Sequence, residues 1–214
     1  METVLGVALK VGVDLAKYGT QSLLEASRVQ CAQLGSNARD NANRMKEEFG
    51  RGTAALIVFA NCSDVELRLV DKRDAPSAGH VWKYNWPMTL GPGQTASLLH
   101  VNSSFGAPAT GAVVYHVSGT AYDVLYAWHV SGSAGGKNAA YTAIREKNYW
   151  KKGSMLDGVL KQVPDQRDVW HSSGLQDVFE STYSIGQTAS PLLELEFKRL
   201  DHQPAAAASA SSHS

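Results

Sequence analysis

Thr110-Gly-Ala-Val-Val-Tyr-His-Val-Ser-Gly-Thr-Ala-Tyr-Asp-Val-Leu-Tyr-Ala-Trp-His-Val130 is the stretch that decides the fold. Two β-branched and aromatic runs flank a short polar turn, which is the signature of a hairpin. Outward from it the period stays at two. Candidate strands are Ala54–Ala60, Val65–Val70, His80–Trp86, Gln94–Val101, Ala112–Val117, Val124–Val130 and Ala140–Glu146. Turn clusters such as Asn61-Cys62-Ser63-Asp64, Gly91-Pro92-Gly93, Ser103–Pro108 and Gly132–Gly136 separate them. Val178–Tyr183 and Leu192–Lys198 close the series, the latter alternating Leu193, Leu195 and Phe197 with Glu194, Glu196 and Lys198, as a strand with one wet face does. Gly153–Val163 is ambiguous, a short helix being one reading. Many short strands with regular turns predict a mainly β chain built as an antiparallel β-sandwich.

Before Thr53 the period is helical. Leu24, Cys31 and Leu34 share one face, and Ala38, Ala42, Met45 and Phe49 recur at three- and four-residue steps. Gly35-Ser36-Asn37 carries stop and cap residues, so two N-terminal helices are expected, the second from Asn37 to Phe49. The organisation expected is a helical region at 1–52, a sandwich at 53–200 and a disordered Ala/Ser-rich tail at 201–214.

The chain has 214 residues, with Lys+Arg and Asp+Glu both at 20. A nucleic-acid binder would show a basic excess, so that partner is not expected. The apolar start Val4–Leu9 follows Glu2 rather than basic residues, which makes a poor secretory signal and predicts a cytoplasmic protein. One disulfide between Cys31 and Cys62 is conceivable, but the reading preferred is two buried or free thiols in a reducing compartment. Asn61-Cys62-Ser63 and Asn102-Ser103-Ser104 match the glycosylation acceptor pattern and are read as silent turn residues.

Catalytic chemistry finds no constellation. There is no Gly-x-Ser-x-Gly elbow, no HExxH or CxxC spacing, and Gly132–Gly136 lacks the Gly-Lys-Ser/Thr of a phosphate loop. Closed symmetrically around Thr120–Ala121, the hairpin sets His129 opposite Ala112 on the face of His116, roughly 13 Å away along the strand. Zinc holds its nitrogens at about 2 Å, so the two cannot share a metal. No enzyme, metal or cofactor is expected. Tyr149-Trp150-Lys151-Lys152 is more suggestive, because rings mixed with lysines suit a membrane interface or carbohydrate stacking. With Trp128, His129 and Tyr141 it makes the candidate ligand or membrane surface. Leu5, Leu9 and Val13 mark a candidate membrane-inserting helix, since a helix over Glu2–Ser27 reaches about 39 Å. The competing reading packs that helix on the sheet.

Ala96–Val101, Gly111–Tyr115, Ala127-Trp128 and Tyr141–Glu146, with the entry Glu47–Gly52, resemble the plant 23 kDa jasmonate-induced protein family over Gly50–Trp150. That resemblance implies a stress- or defence-responsive plant protein. More distantly, Ala109–Val113 and Leu192–Phe197 are similar to actinoporins and their fungal-lectin relatives. That likeness implies an actinoporin-like sandwich, with a cytolysin-like, pore-forming alternative. Here His129-Val130-Ser131, followed by Gly132–Gly136, stands where actinoporins carry Ser-Val-Pro and an aromatic-rich loop for lipid headgroups. The expected function is non-enzymatic binding of a glycan or protein partner. A lipid headgroup at a membrane is the alternative, an unrecognised enzyme is the third and least favoured reading, and self-association stays open.

Overall fold

The computed structural model describes residues 20–200 apart from 105, 134, 153, 167–169 and 176–177, with side chains from Gly35 onward and not over 170–175. Helix α1 (Thr20–Phe49) leads into eleven strands: β1 (Thr53–Cys62), β2 (Leu67–Asp74), β3 (His80–Val81), β4 (Thr89–Leu90), β5 (Thr95–Asn102), β6 (Ala109–Val117), β7 (Tyr122–Val130), β8 (Ala139–Glu146), β9 (Trp170–Leu175), β10 (Phe179–Ile185) and β11 (Leu192–Arg199). Between β8 and β9 lie a 3₁₀ turn (Tyr149–Lys151) and helix α2 (Met155–Gln162), which settles the ambiguous segment as helix.

The strands form two sheets, ordered β3-β5-β1-β11-β10-β9 and β4-β2-β6-β7-β8. Pairing is antiparallel except between β1 and β11, which run parallel in register Leu56↔Leu192 to Cys62↔Lys198. The core lies between the sheets, where Ile57, Phe59, Leu98, Leu195 and Phe197 of one meet Val113, Tyr115, Val124, Tyr126 and Trp128 of the other. Strand β1 is buried on both faces because α1 covers its other side, and this explains its unbroken apolar run.

The expected interruption at Gly35–Asn37 is not observed: α1 runs unbroken through it. One glycine costs a helix interior about 1 kcal/mol. Docking Ala38, Ala42 and Met45 on Ala54, Leu56, Val58, Leu99 and Val101 outweighs that. Arg39 Nε reaches Glu194 at 2.7 Å, and Ser97 Oγ donates to the Ala38 carbonyl at 2.8 Å. The helix stops at Gly50, whose left-handed φ of 77° returns its N–H to the Lys46 carbonyl. Residues 1–19, with Leu5, Leu9 and Val13, lie outside the described residues, as do the tail at 201–214 and the side chains of Leu24, Cys31 and Leu34.

Two further corrections follow. Cys62 is disulfide-bonded rather than a free thiol, and the chain's one other cysteine is Cys31, on α1. Of the run His80–Trp86, only His80–Val81 forms strand, on β5, with one further bond from the Trp82 N–H to the Leu99 carbonyl at 2.8 Å. Lys83 then takes a left-handed φ of 63°, and Trp82–Met88 crosses as a strap from the first sheet to β4 of the second. Both glycosylation-pattern asparagines are buried in turn networks: Asn61 Nδ2 donates to the carbonyls of Val65 and Leu90, and Asn102 Nδ2 to those of Ser77 and Pro108.

Candidate functional site

The outer face of the second sheet carries the site. Its small and branched residues Ala112, Val114, Leu125, Ala127 and Ala143 form a shelf that Leu156, Leu160 and Val163 cover, so α2 is laid flat on the sheet. Arg73 of β2 clamps α2 from the side, Nη1 donating to Asp157 Oδ1 at 2.7 Å. That hydrogen bond also holds the guanidinium pKa above its usual value.

The chain reaches α2 through a braced corner. Past the end of β8, the Lys147 N–H donates to the Ala121 carbonyl at 2.8 Å. Asn148 follows at φ 66°, and its N–H donates to Asp123 Oδ2 at 2.7 Å. The other carboxylate oxygen, Oδ1, lies 2.9 Å from His116 Nδ1. A carboxylate only accepts, so the ring proton sits on Nδ1. Asp123 is fully buried while His116 reaches the surface, so one carboxylate ties the corner to both strands of the hairpin. Such charge-assisted bonds are roughly twice as strong as neutral ones.

The corner presents cations. Lys147, Lys151 and Lys152 are exposed, and among the described residues none of them has an acidic partner. Lys152 Nζ stands 6.0 Å from the Tyr149 ring centre, and Tyr149 meets Trp150 edge-on at 4.9 Å. Tyr141 packs into the same apolar cluster and stays partly open, as Tyr149 does.

Five of the seven candidate surface residues gather about this cluster, Tyr149, Trp150, Lys151, Lys152 and Tyr141, while His129 shares the outer face but sits at the far end of β7, opposite Ala139. Two placements are corrections. Trp150 is only 5% exposed and serves as the anchor beneath the corner, not as a contact. Trp128 is 0% exposed and points between the sheets. Its ring lies 5.6 Å from Trp86 and 5.2 Å from His100, and leans over Gly111, where an added Cβ would stand 2.6 Å from Cζ2. The strand pleat already forbids Trp128 and His129 from sharing a face. His129 lies on the outer face, its Nδ1 2.8 Å from Thr110 Oγ1, and burial pushes its pKa down.

The hairpin closes as Val117↔Tyr122, one residue off the symmetric closure, which sets His129 opposite Thr110 and His116 opposite Asp123. The two histidines are therefore further apart than the sequence register placed them. Among the described residues no cluster of His, Cys, Asp and Glu has metal-ligating geometry. Sequence reasoning missed the Asp123–Asn148 brace because that pairing follows only from the observed register.

The Nakanori-like protein family model matches residues 18–200. A 23 kDa jasmonate-induced protein of Hordeum vulgare is 31% identical over 119 residues, covering 53% of this chain. The match spans 55% of the barley protein, about half its length. The crystal structure of the lipid binding protein Nakanori superposes with a TM-score of 0.72 at 17% identity, covering 82% of this chain and 87% of that one. A Xerocomus chrysenteron lectin matches at a TM-score of 0.46 and 11% identity, over 67% of this chain and 99% of the lectin.

Proposed function

This chain belongs to the Nakanori-like family, and from that premise we propose that it is a non-enzymatic, stress-responsive protein that docks on membrane surfaces through lipid headgroups. The observation that carries the reading is the braced corner. Lys147, Lys151 and Lys152 stand without acidic partners around the partly open ring of Tyr149, at one margin of the apolar cluster that Tyr141 also packs against. Lysines placed this way meet headgroup phosphates, and tyrosine suits the interface level, with an apolar ring and a polar tip. The lipid binding of Nakanori and the jasmonate induction of the barley relative support a binding role in a stress response. Docking through the corner requires no pore. The pore-forming alternative rests on Leu5, Leu9 and Val13, outside the described residues. Among the described residues no helix is long and apolar enough to cross a membrane.

The test is co-sedimentation with vesicles of phosphatidylcholine, phosphatidylcholine with phosphatidylserine, and a sphingomyelin-containing mixture, with dye release read in the same tubes. Each juxtamembrane lysine contributes about 1 kcal/mol on an anionic surface. Lys151→Ala with Lys152→Ala should therefore weaken binding to the phosphatidylserine vesicles roughly 30-fold, with little leakage for either protein. Unchanged binding by the double variant would overturn the corner as the site. No binding to any vesicle would overturn the membrane reading and leave a glycan or protein partner for a glycan array to identify.

A further inference from the structure

The strap Trp82–Met88 lies apart from the corner, at the opposite edge of the second sheet. It carries several anchoring residues and two open side chains. Tyr84 is 59% exposed and Met88 71%, and the only other large exposed hydrophobic among the described residues is Met155.

Folding fixes the strap around these two. Trp82 meets Phe49 of α1 edge-on at 5.9 Å. Trp86 is buried against Trp128. Pro87 accepts the Tyr115 hydroxyl at 2.8 Å, and the Met88 carbonyl accepts the Leu69 N–H at 2.9 Å. Lys72 Nζ donates to Asn85 Oδ1 at 3.2 Å. Lys83 pairs with Glu48 and lies 4.7 Å from the Trp82 ring. The backbone is thus held while Tyr84 and Met88 are presented outward, so little entropy is left to lose on binding.

Charge selects the partner. The strap itself contains no Asp or Glu; the carboxylate that reaches it, Glu48 of α1, is paired with Lys83, and Lys72 at Asn85 adds a cation. A surface entering the headgroup region of an anionic bilayer needs that balance, because each unpaired carboxylate would be repelled by lipid phosphate and would resist desolvation. Tyrosine is an interfacial residue type, and methionine supplies a flexible apolar tip.

We propose that the strap Trp82–Met88 is a second membrane contact, in which Tyr84 and Met88 enter the boundary between headgroups and acyl chains. This rests on the membrane reading above and adds a salt-resistant, apolar component to the salt-sensitive one supplied by the lysines.

The experiment compares the full chain with Tyr84→Glu/Met88→Glu on phosphatidylcholine–phosphatidylserine vesicles at 0.1 M and 1 M NaCl. Both side chains are open, so the thermal midpoint of the variant should match the parent and exclude misfolding. At 1 M salt, where the Debye length is about 3 Å, lysine contacts are screened. The parent should keep measurable binding there, and the variant should lose it by about tenfold or more. Equal high-salt binding by both proteins would overturn the strap and leave the corner standing. Loss of all parent binding at 1 M salt would also overturn it, as a purely electrostatic attachment. No parent binding at either salt would sink the membrane reading itself, and the strap with it.

Discussion

His129 shows how one residue can make stability depend on pH. It is half-buried on the outer face, with Nδ1 against the Thr110 hydroxyl. Burial disfavours the imidazolium, so the folded-state pKa lies below the ordinary 6.5. The unfolded chain therefore binds the proton more tightly than the folded one. Stability is complete above the unfolded pKa and falls as the pH drops through 6.5 toward the lowered folded value. His129→Gln should flatten that part of the profile. Thermal midpoints at pH 7.5 and 5.5 check it: the drop attributable to His129 should be absent in the variant, and an equal drop would assign it to other groups. Trp128, one residue earlier, makes the opposite case. Its identity suits a binding surface, but the pleat turns it inward over Gly111, where only a residue without a Cβ leaves room for the indole.

At the scale of elements, the corner after β8 is held by a side chain from β7. Asp123 satisfies the Asn148 N–H and the His116 ring at once. Asp123→Ala leaves two part-buried donors without their partner, which costs less than the ~1–3 kcal/mol each of fully buried donors because water reaches both Asn148 and His116. Urea unfolding should show a loss of that order, and vesicle binding should weaken although every lysine remains. His116→Ala removes only one of the two bonds and should cost less. Equal stability of parent and Asp123→Ala would show that the corner does not depend on the brace. The strands around this brace were legible from their alternation, and so was the helical stripe Ala38, Ala42, Met45. The brace itself was not, because a hairpin's register depends on its turn, and a one-residue change gives every residue a new partner. Strand β9 (Trp170–Leu175) was also illegible, since His-Ser-Ser-Gly carries none of the β-branched or aromatic enrichment by which strands are recognised.

The whole molecule is a sandwich with one long helix on its outer side, and the disulfide at Cys62 sits at the far end of the central strand that this helix covers. Thiol titration of the denatured, unreduced protein should find no free thiols, whereas two would overturn the bond. Reduction should then lower stability by about 2–4 kcal/mol, read from the shift in the denaturation curve. Persistent disulfides belong to oxidising compartments, so this count also bears on the cytoplasmic location expected from the N-terminus. By itself the sequence determined what repeats locally: period-two strands, the apolar helical stripe, the turns between them, and a lineage written in scaffold residues. These depend on neighbours along the chain, and burial of one face enforces them wherever the element docks. The tertiary structure alone decided that β1 and β11 run side by side in parallel, that Trp128 and Trp150 are anchors while the lysines and Tyr84 and Met88 face out, and that Asp123 braces the corner. Those facts concern residues distant in sequence, and close packing of two sheets and two helices selects among arrangements that local preference leaves equal.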